Sequence, residues 1–377
     1  MQNNLVIIGS GFAARQLVKN IRRADKKVAI TLFAADSADE YNKPDLSHVF
    51  SLNQSADDLT QQTAKQFAQE NNLIVYANTE VTAIDRQARQ VICGEQCFNY
   101  QKLVLATGAK AMVPSIQGSD LLATFNSQSE YRQHQETLQV SQHIVVLGAG
   151  LIGCELAMDL RRAGKQVTLV DRSHCLLSAL MPAELSSRLQ NKFSLMGIQL
   201  ALNNEISRVE RVNTGLKVTF RNGLIVEADA VVSSMGLKPE ISLAKASGLQ
   251  TARGIQVNDQ LQTSDKNIYA LGDCAEMAGK VQSFLQPILL GAMTLAKNLL
   301  GNEESLRLPA MLLKIKTPDL PLVMAGEALR QDLNWEITLC NKGMMAQGTD
   351  ARQQLRAFVV SEEYTQQAFT LLRNIII

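Results

Sequence analysis

One pattern occurs twice in this chain and constrains its fold more than any other feature. Residues 4–24 read NLVIIGSGFAARQLVKNIRRA, and residues 143–164 read HIVVLGAGLIGCELAMDLRRAG. Each is a short apolar run, then a glycine-rich turn, then apolar residues at helical spacing. In the first copy Leu17, Val18 and Ile21 share a face; in the second Ile152, Leu156 and Leu160 do. Each is followed by another apolar run, VAITLF and QVTLV. Strand–helix–strand units lay their strands side by side and parallel. The expected fold is therefore α/β, with two Rossmann-like dinucleotide-binding domains.

The glycines carry the chemistry. In the first copy they are Gly9 and Gly11, with Ala14 in third place; in the second they are Gly148, Gly150 and Gly153. The first allows the tight turn, and the second lets backbone approach a pyrophosphate. The third, where alanine also serves, lets helix and strand pack closely. Free N–H groups at the helix start then face the phosphates. One such turn is weak evidence, whereas two copies in the right context point to two dinucleotides. An acid about 20 residues on is expected to bond a ribose. Asp171 fills that place in the second copy and favours NADH over NADPH, with Arg172 beside it. Asp36 in the first comes slightly late; it either reaches the ribose or caps the next turn.

Composition removes several classes. The chain has 377 residues, 46% hydrophobic and 19% charged, with net charge +1. That suits two or three globular domains and gives no general pull toward nucleic acid or anionic membrane. No apolar run approaches the roughly 20 residues of a membrane span. The opening MQNNLVIIGSG has no leader pattern, so a cytosolic protein with its six cysteines as thiols is expected. Cys93 and Cys97 are the only close pair and read as bystanders. Residues 217–236 alternate as hairpin-like strands. From about Leu306 the chain changes character: LPAMLLKIK, LNWEITLC and LRAFVVSEE read as strands and TQQAFTLLRNI as a final helix, a small α+β domain. Trp335, the single tryptophan, is expected in that domain's core.

Two further strands end in turns, KLVLATGAK at 102–110 and NIYALGDCAE at 267–276. Together with GSGFAA at 9–14, GAGLIGCE at 148–155 and SMGLKPE at 234–240, they resemble the pyridine nucleotide–disulfide reductase superfamily, whose fold is glutathione-reductase-like. The resemblance covers nearly the whole chain. It implies tightly bound FAD on a discontinuous domain of residues 1–110 and 237–305. It also implies NADH as co-substrate on residues 111–236, and a C-terminal domain at 306–377. Beyond the turn glycines, it implies that Ser10, Phe12, Asp36, Lys43, Pro44, Val81, Thr107, Gly108, Glu155, Gly236, Gly272, Asp273, Leu285 and Lys316 line the cofactors.

The segment Glu40–Phe50, EYNKPDLSHVF, gives the branch. Superfamily members that pass electrons through thiols carry cysteine here, and this chain has Leu46-Ser47-His48. Tyr41-Asn42-Lys43-Pro44-Asp45-Leu46-Ser47 instead resembles the ferredoxin and rubredoxin reductases, in which electrons leave the flavin directly. The resemblance implies catalytic roles for Lys43, near the flavin, and Glu155, its ion partner. His48 is not expected to act as a base. FLQPI at 284–288 and KIKTPDLPL at 314–322 are similar to the NADH-dependent reductases of flavorubredoxin, the bacterial nitric oxide reductase. The ferredoxin-reducing relatives carry an aromatic motif where this chain has Lys314 to Pro318. The implied partner is the rubredoxin domain of flavorubredoxin, or another small acidic iron–sulfur protein, met by Lys314, Lys316 and Lys43. The implied role is in nitric oxide detoxification. Two other readings stay open: an NADH oxidase or thiol-using reductase, and a flavin-bound redox sensor with little turnover.

Overall fold

The computed structural model describes residues 4–281 and 283–376. The chain divides into two compact units. The first comprises Met1–Asn42, Asp58–Lys110 and Leu237–Leu308; the second comprises Lys43–Asp57, Ala111–Gly236 and Pro309–Ile377.

The first unit is built on a five-stranded parallel sheet. Its order is Ile268–Ala270, Lys102–Leu105, Asn4–Ile8, Ala29–Phe33 and Ile74–Tyr76. Apolar residues on both faces of Asn4–Ile8 explain why the strand is central. Leu5 and Ile7 join one core and Val6 and Ile8 the other. On the first face sit the helices Phe12–Ala24 and Leu285–Leu299. Leu17, Val18 and Ile21 are completely buried there, as their spacing predicts. Each such side chain contributes about 1.5–3 kcal/mol by leaving water. On the second face a small antiparallel sheet, Ala83–Asp85, Gln90–Cys93 and Gln96–Asn99, closes the core with Val91 and Ile84.

The second unit repeats the plan. Its parallel sheet runs Leu122–Thr124, Ala230–Ser233, His143–Leu147, Gln166–Val170 and Gln199–Ala201. The helix Leu151–Arg162 buries Leu156 and Leu160 completely, but Ile152 is 38% exposed. The expected third member of that face is therefore outside the core, because it lies in the first turn, beside the open glycine loop. The expected hairpin over 217–236 is present as Gly215–Phe220 with Ile225–Ala228. Its last strand, Ala230–Ser233, leaves it for the parallel sheet.

The tail forms a five-stranded antiparallel sheet in the order Leu313–Ile315, Leu322–Gly326, Leu355–Ser361, Gly343–Thr349, Asn334–Cys340. The helix Ala368–Asn374 covers it, with Ala368 and Leu371 against Val323, Phe358 and Val360. Trp335 is only half-buried, on a mostly exposed outer strand, so it is not a core residue. After Phe50 come a short 3₁₀ turn, Asp57–Leu59, and the helix Ala64–Glu70, where Thr63 and Gln66 make a capping box.

Candidate active site

Each glycine-rich turn is shaped by its own unit. Gly9 has φ +111°, and a Cβ there would lie 2.1 Å from the Ala106 carbonyl oxygen. Gly148 has φ +109°, and its Cβ would lie 2.5 Å from the Ser234 carbonyl oxygen. Glycine is required at both by backbone angle and by contact. Gly153 is also tight, with its Cβ position 1.8 Å from the Gly148 oxygen; Ala14, its counterpart, is fully buried. The middle glycines differ. A Cβ on Gly11 or Gly150 would meet nothing within 4 Å, and neither helix has a side-chain cap. The space beside these helix starts is open and faced by the backbone donors of the first turn, which fits a pyrophosphate at each.

The two acids are placed differently. Asp36 accepts from the Ser10 hydroxyl at 3.1 Å and from the Ala38 N–H at 3.0 Å. That is the capping role, and both bonds fall on one carboxylate oxygen, so the ribose role stays open. Arg15, buried on the same helix as Ala14, braces this region with bonds to the Ser10 and Ala38 carbonyls and to Glu40 at 3.2 Å. Asp171 accepts from the Ala149 N–H at 2.6 Å and the Ser173 N–H at 2.7 Å. It therefore holds the second glycine turn itself, and each oxygen keeps lone-pair capacity for a ribose hydroxyl.

In the first unit Thr107 and Gly108 form a turn tied to Glu240. The Thr107 hydroxyl donates to the Glu240 carbonyl at 2.7 Å, and the Glu240 N–H donates to that of Gly108 at 2.9 Å. Gly272, with φ +85°, passes so close to Ala13 that a Cβ would lie 2.9 Å from it. Asp273, next to it, is half-buried. Phe12 and Leu285 are exposed at the first positions of their helices, whereas Val81 is buried in the core. Gly236, in the second unit, has φ +101° and open space at its Cβ.

The segment from Lys43 lies with the second unit. Lys43–His48 forms a 3₁₀ turn, with Lys43 and Pro44 half-buried at its head. Within it the Ser47 hydroxyl donates to Glu155 at 2.8 Å, and the Lys316 N–H donates to the other Glu155 oxygen at 2.8 Å. Glu155 is 6% exposed, so these are buried, charge-assisted bonds. The Lys316 ammonium lies 3.5 Å from Asp45 and 3.4 Å from the Pro44 carbonyl. One turn further on, Asp159 accepts from Phe50 and Ser51. Sequence reading placed Ser47 in the branch motif without a task and missed Asp159: nothing local distinguishes an acid on a helix from a solvated residue. His48 lines an open cleft of about 430 Å³ with Ser51, Leu52, Arg162, Lys316 and Thr317.

The buried cysteines are unsuited to a relay, whereas Cys340, exposed on the outer strand of the tail, has its thiol lowered by its bond with Tyr364. Cys154 and Cys274 are completely buried, and burial pushes both thiols up, away from the nucleophilic thiolate. Cys93, also buried, is raised the same way. Among the described residues no cluster could hold a metal ion.

A family model described as pyridine nucleotide-disulphide oxidoreductase matches residues 3–294. The chain belongs to this family. A second model, described as a rubredoxin binding C-terminal domain, matches residues 305–375. The oxidoreductase is 54% identical, over all of both chains, to the nitric oxide reductase FlRd-NAD(+) reductase of Escherichia coli O157:H7 (strain EC4115 / EHEC). Two solved structures share its fold. A ferredoxin reductase for the CYP199A2 system of Rhodopseudomonas palustris has TM-score 0.89 at 24% identity, covering 99% of this chain and 96% of that one. The NADH:rubredoxin oxidoreductase of Clostridium acetobutylicum has TM-score 0.82 at 20% identity, covering 99% and 94%. This oxidoreductase has the α/β fold of the family, two glycine-turn units of one plan, and an antiparallel C-terminal sheet.

Proposed function

We propose that the chain is an NADH-dependent flavoprotein that passes electrons through FAD to the rubredoxin centre of flavorubredoxin, in support of nitric oxide detoxification. The observation that carries this is a rubredoxin-binding domain fused to a two-dinucleotide reductase whose buried cysteines are poor thiolates. The full-length likeness to a flavorubredoxin reductase points the same way. FAD, when bound, supplies the step from a two-electron hydride donor to a one-electron iron centre.

The protein's share is binding and placement. The turn Gly9–Ala14 would hold the FAD pyrophosphate and Gly148–Gly153 that of NADH. Asp171 fixes the second turn and disfavours a 2′-phosphate. Glu155 and Lys43 would border the nicotinamide, and Ser47 holds the Glu155 carboxylate in place. Lys314 and Lys316 are exposed, while Ile315 and Thr317 beside them are buried. Lys314 therefore suits an acidic partner, while the Lys316 ammonium is shared with Asp45. The proposed site of action is the cytoplasm, which holds the NADH the reaction consumes. Among the described residues no helix is long and apolar enough to cross a membrane.

The test is anaerobic stopped flow with NADH and excess oxidised rubredoxin domain, and a [2Fe–2S] ferredoxin in parallel. Fast bleaching of rubredoxin, slow reduction of ferredoxin and a fall in rate with salt are expected. If the flavin is reduced but neither iron protein is, the reading fails, and oxidase or sensor roles take its place.

A further inference from the structure

The helix Leu151–Arg162 carries a polar stripe where its place in the fold would admit apolar side chains. Glu155, Asp159 and Arg162 stand at spacings of four and three, one face of the helix. Each holds a segment distant in sequence. Glu155 takes Ser47 and Lys316, and Arg162 takes Asp319 at 2.9 Å. Asp159 takes the Phe50 N–H at 2.8 Å, the Ser51 N–H at 3.3 Å and the Ser51 hydroxyl. At 2% exposure it is the most buried of the three, yet the proposed reaction gives it no task. Burial pushes its pKa up, and the Ser51 and Phe50 donors push back, so the donors are what make the site tolerable for a carboxylate.

The segment is also pinned from its other side. The Phe50 ring packs 5.8 Å from Phe125 and 6.0 Å from Tyr131. The Tyr131 hydroxyl donates to the Gln54 carbonyl at 2.7 Å, and Gln135 accepts from the Ala56 N–H at 2.9 Å. These contacts fix residues 50–56 sideways. Asp159 alone, among the described contacts, fixes the Phe50–Ser51 backbone along the nucleotide-binding helix. Ser47 and Lys43 lie three and seven residues before Phe50 in the sequence.

We propose that Asp159 is a positioning residue for hydride transfer, setting the register of the Lys43–Ser51 segment on the helix that receives NADH. It acts through Ser47 and Glu155, not by touching the reacting atoms. The proposal rests on the reading of the protein as an NADH-dependent flavoprotein. Removing the carboxylate lets the segment shift along the helix by a fraction of an ångström. Misplacement of about 1 Å at a reacting centre costs up to about 10²-fold in rate.

The test compares wild type, Asp159→Asn, Asp159→Glu and Ser51→Ala as FAD-loaded proteins. Three quantities are read: the limiting rate of flavin reduction against NADH concentration, the apparent NADH dissociation constant, and the long-wavelength absorbance of the NADH–flavin complex. For Asp159→Asn a roughly tenfold fall in limiting rate is expected, with NADH affinity within about twofold and a displaced long-wavelength band. Ser51→Ala, which loses one bond at an exposed residue, should show the same changes in smaller measure, and it stands in if Asp159→Asn does not fold. Asp159→Glu should recover part of the rate. An unchanged rate and band in Asp159→Asn, or in Ser51→Ala where that stands in, overturns the proposal while wild-type reduction by NADH keeps the functional reading intact. A wild-type flavin that NADH does not reduce overturns that reading instead.

Discussion

The Ser47 hydroxyl donates to the Glu155 carboxylate at 2.8 Å, across 108 residues of sequence. This bond and the one from the Lys316 N–H are the described donors to a carboxylate that is 6% exposed. Ser47→Ala leaves a buried charge with one described donor. A loss of about 1–3 kcal/mol is expected, read as a lower urea midpoint with an unchanged slope. A stability equal to wild type would mean that Glu155 finds another donor at no cost.

The glycine turns should separate into two classes on substitution. Gly150→Ala places a methyl group in open space at an ordinary backbone angle, so stability should change by less than about 0.5 kcal/mol. NADH affinity should still fall tenfold or more, because the methyl group occupies the approach to the pyrophosphate. Gly153→Ala drives its Cβ against the Gly148 oxygen and should destabilise the fold by about 1–3 kcal/mol or more. Gly11→Ala should repeat the first pattern for FAD, giving a folded protein that purifies colourless. Calorimetry for NADH and the flavin absorbance for FAD decide both cases.

Asp171 should not behave as a simple selector of cofactor. Its carboxylate holds the Ala149 and Ser173 N–H groups. Asp171→Ala removes the repulsion of a 2′-phosphate and also loosens the turn that both nucleotides need. The expected result is a KM for NADH raised tenfold or more, with little gain for NADPH. A clean exchange of preference at full activity would show that the turn holds without it.

Acid should weaken the first unit through Glu240. Burial alone would raise its pKa, but hydrogen bonds from Lys110 and Ser242, with the Lys110 charge, outweigh it and hold the group at about 2, against 4.5 unperturbed. A value depressed in the folded state means stability present above pH 4.5 and lost as pH falls from 4.5 toward 2. Glu240→Gln should therefore melt below wild type at pH 7, with the gap narrowing below pH 4.5 and closing toward pH 2. A gap that is constant with pH would assign the effect to packing.

Reversing charge on the tail should act on the partner. Lys314 is exposed on the strand Leu313–Ile315. Lys314→Glu should raise the KM for the rubredoxin domain severalfold and flatten the salt dependence of its reduction. An unaltered salt slope would move the docking surface elsewhere.

The parts legible in the sequence are those built from local repetition. Gly9, Gly148 and the residues after them announce strand, turn and helix in one short window, and both parallel sheets follow. Polar helices are harder to find: Gln128–Val140 buries little beyond Gln128, Tyr131 and Leu138, so its apolar spacing is faint. In the tail, Gly343–Thr349 has no β-branched or aromatic side chain before Thr349, and it forms because its neighbours on both sides pair with it. Within the site, the nucleotide turns can be found from their glycines, but the tasks of Ser47 and Asp159 cannot. Their roles exist only through partners more than a hundred residues away.

The stripe of Glu155, Asp159 and Arg162 also bears on how such reductases can be recombined. Residues 43–57 interrupt the first unit in sequence and are anchored, carboxylate by carboxylate, on a helix encoded a hundred positions later. A chimera that exchanges residues 1–110 between two relatives would carry the key without its lock. The heritable module is the segment together with that one helix face, and crossover points that keep the two from the same parent should yield the active hybrids.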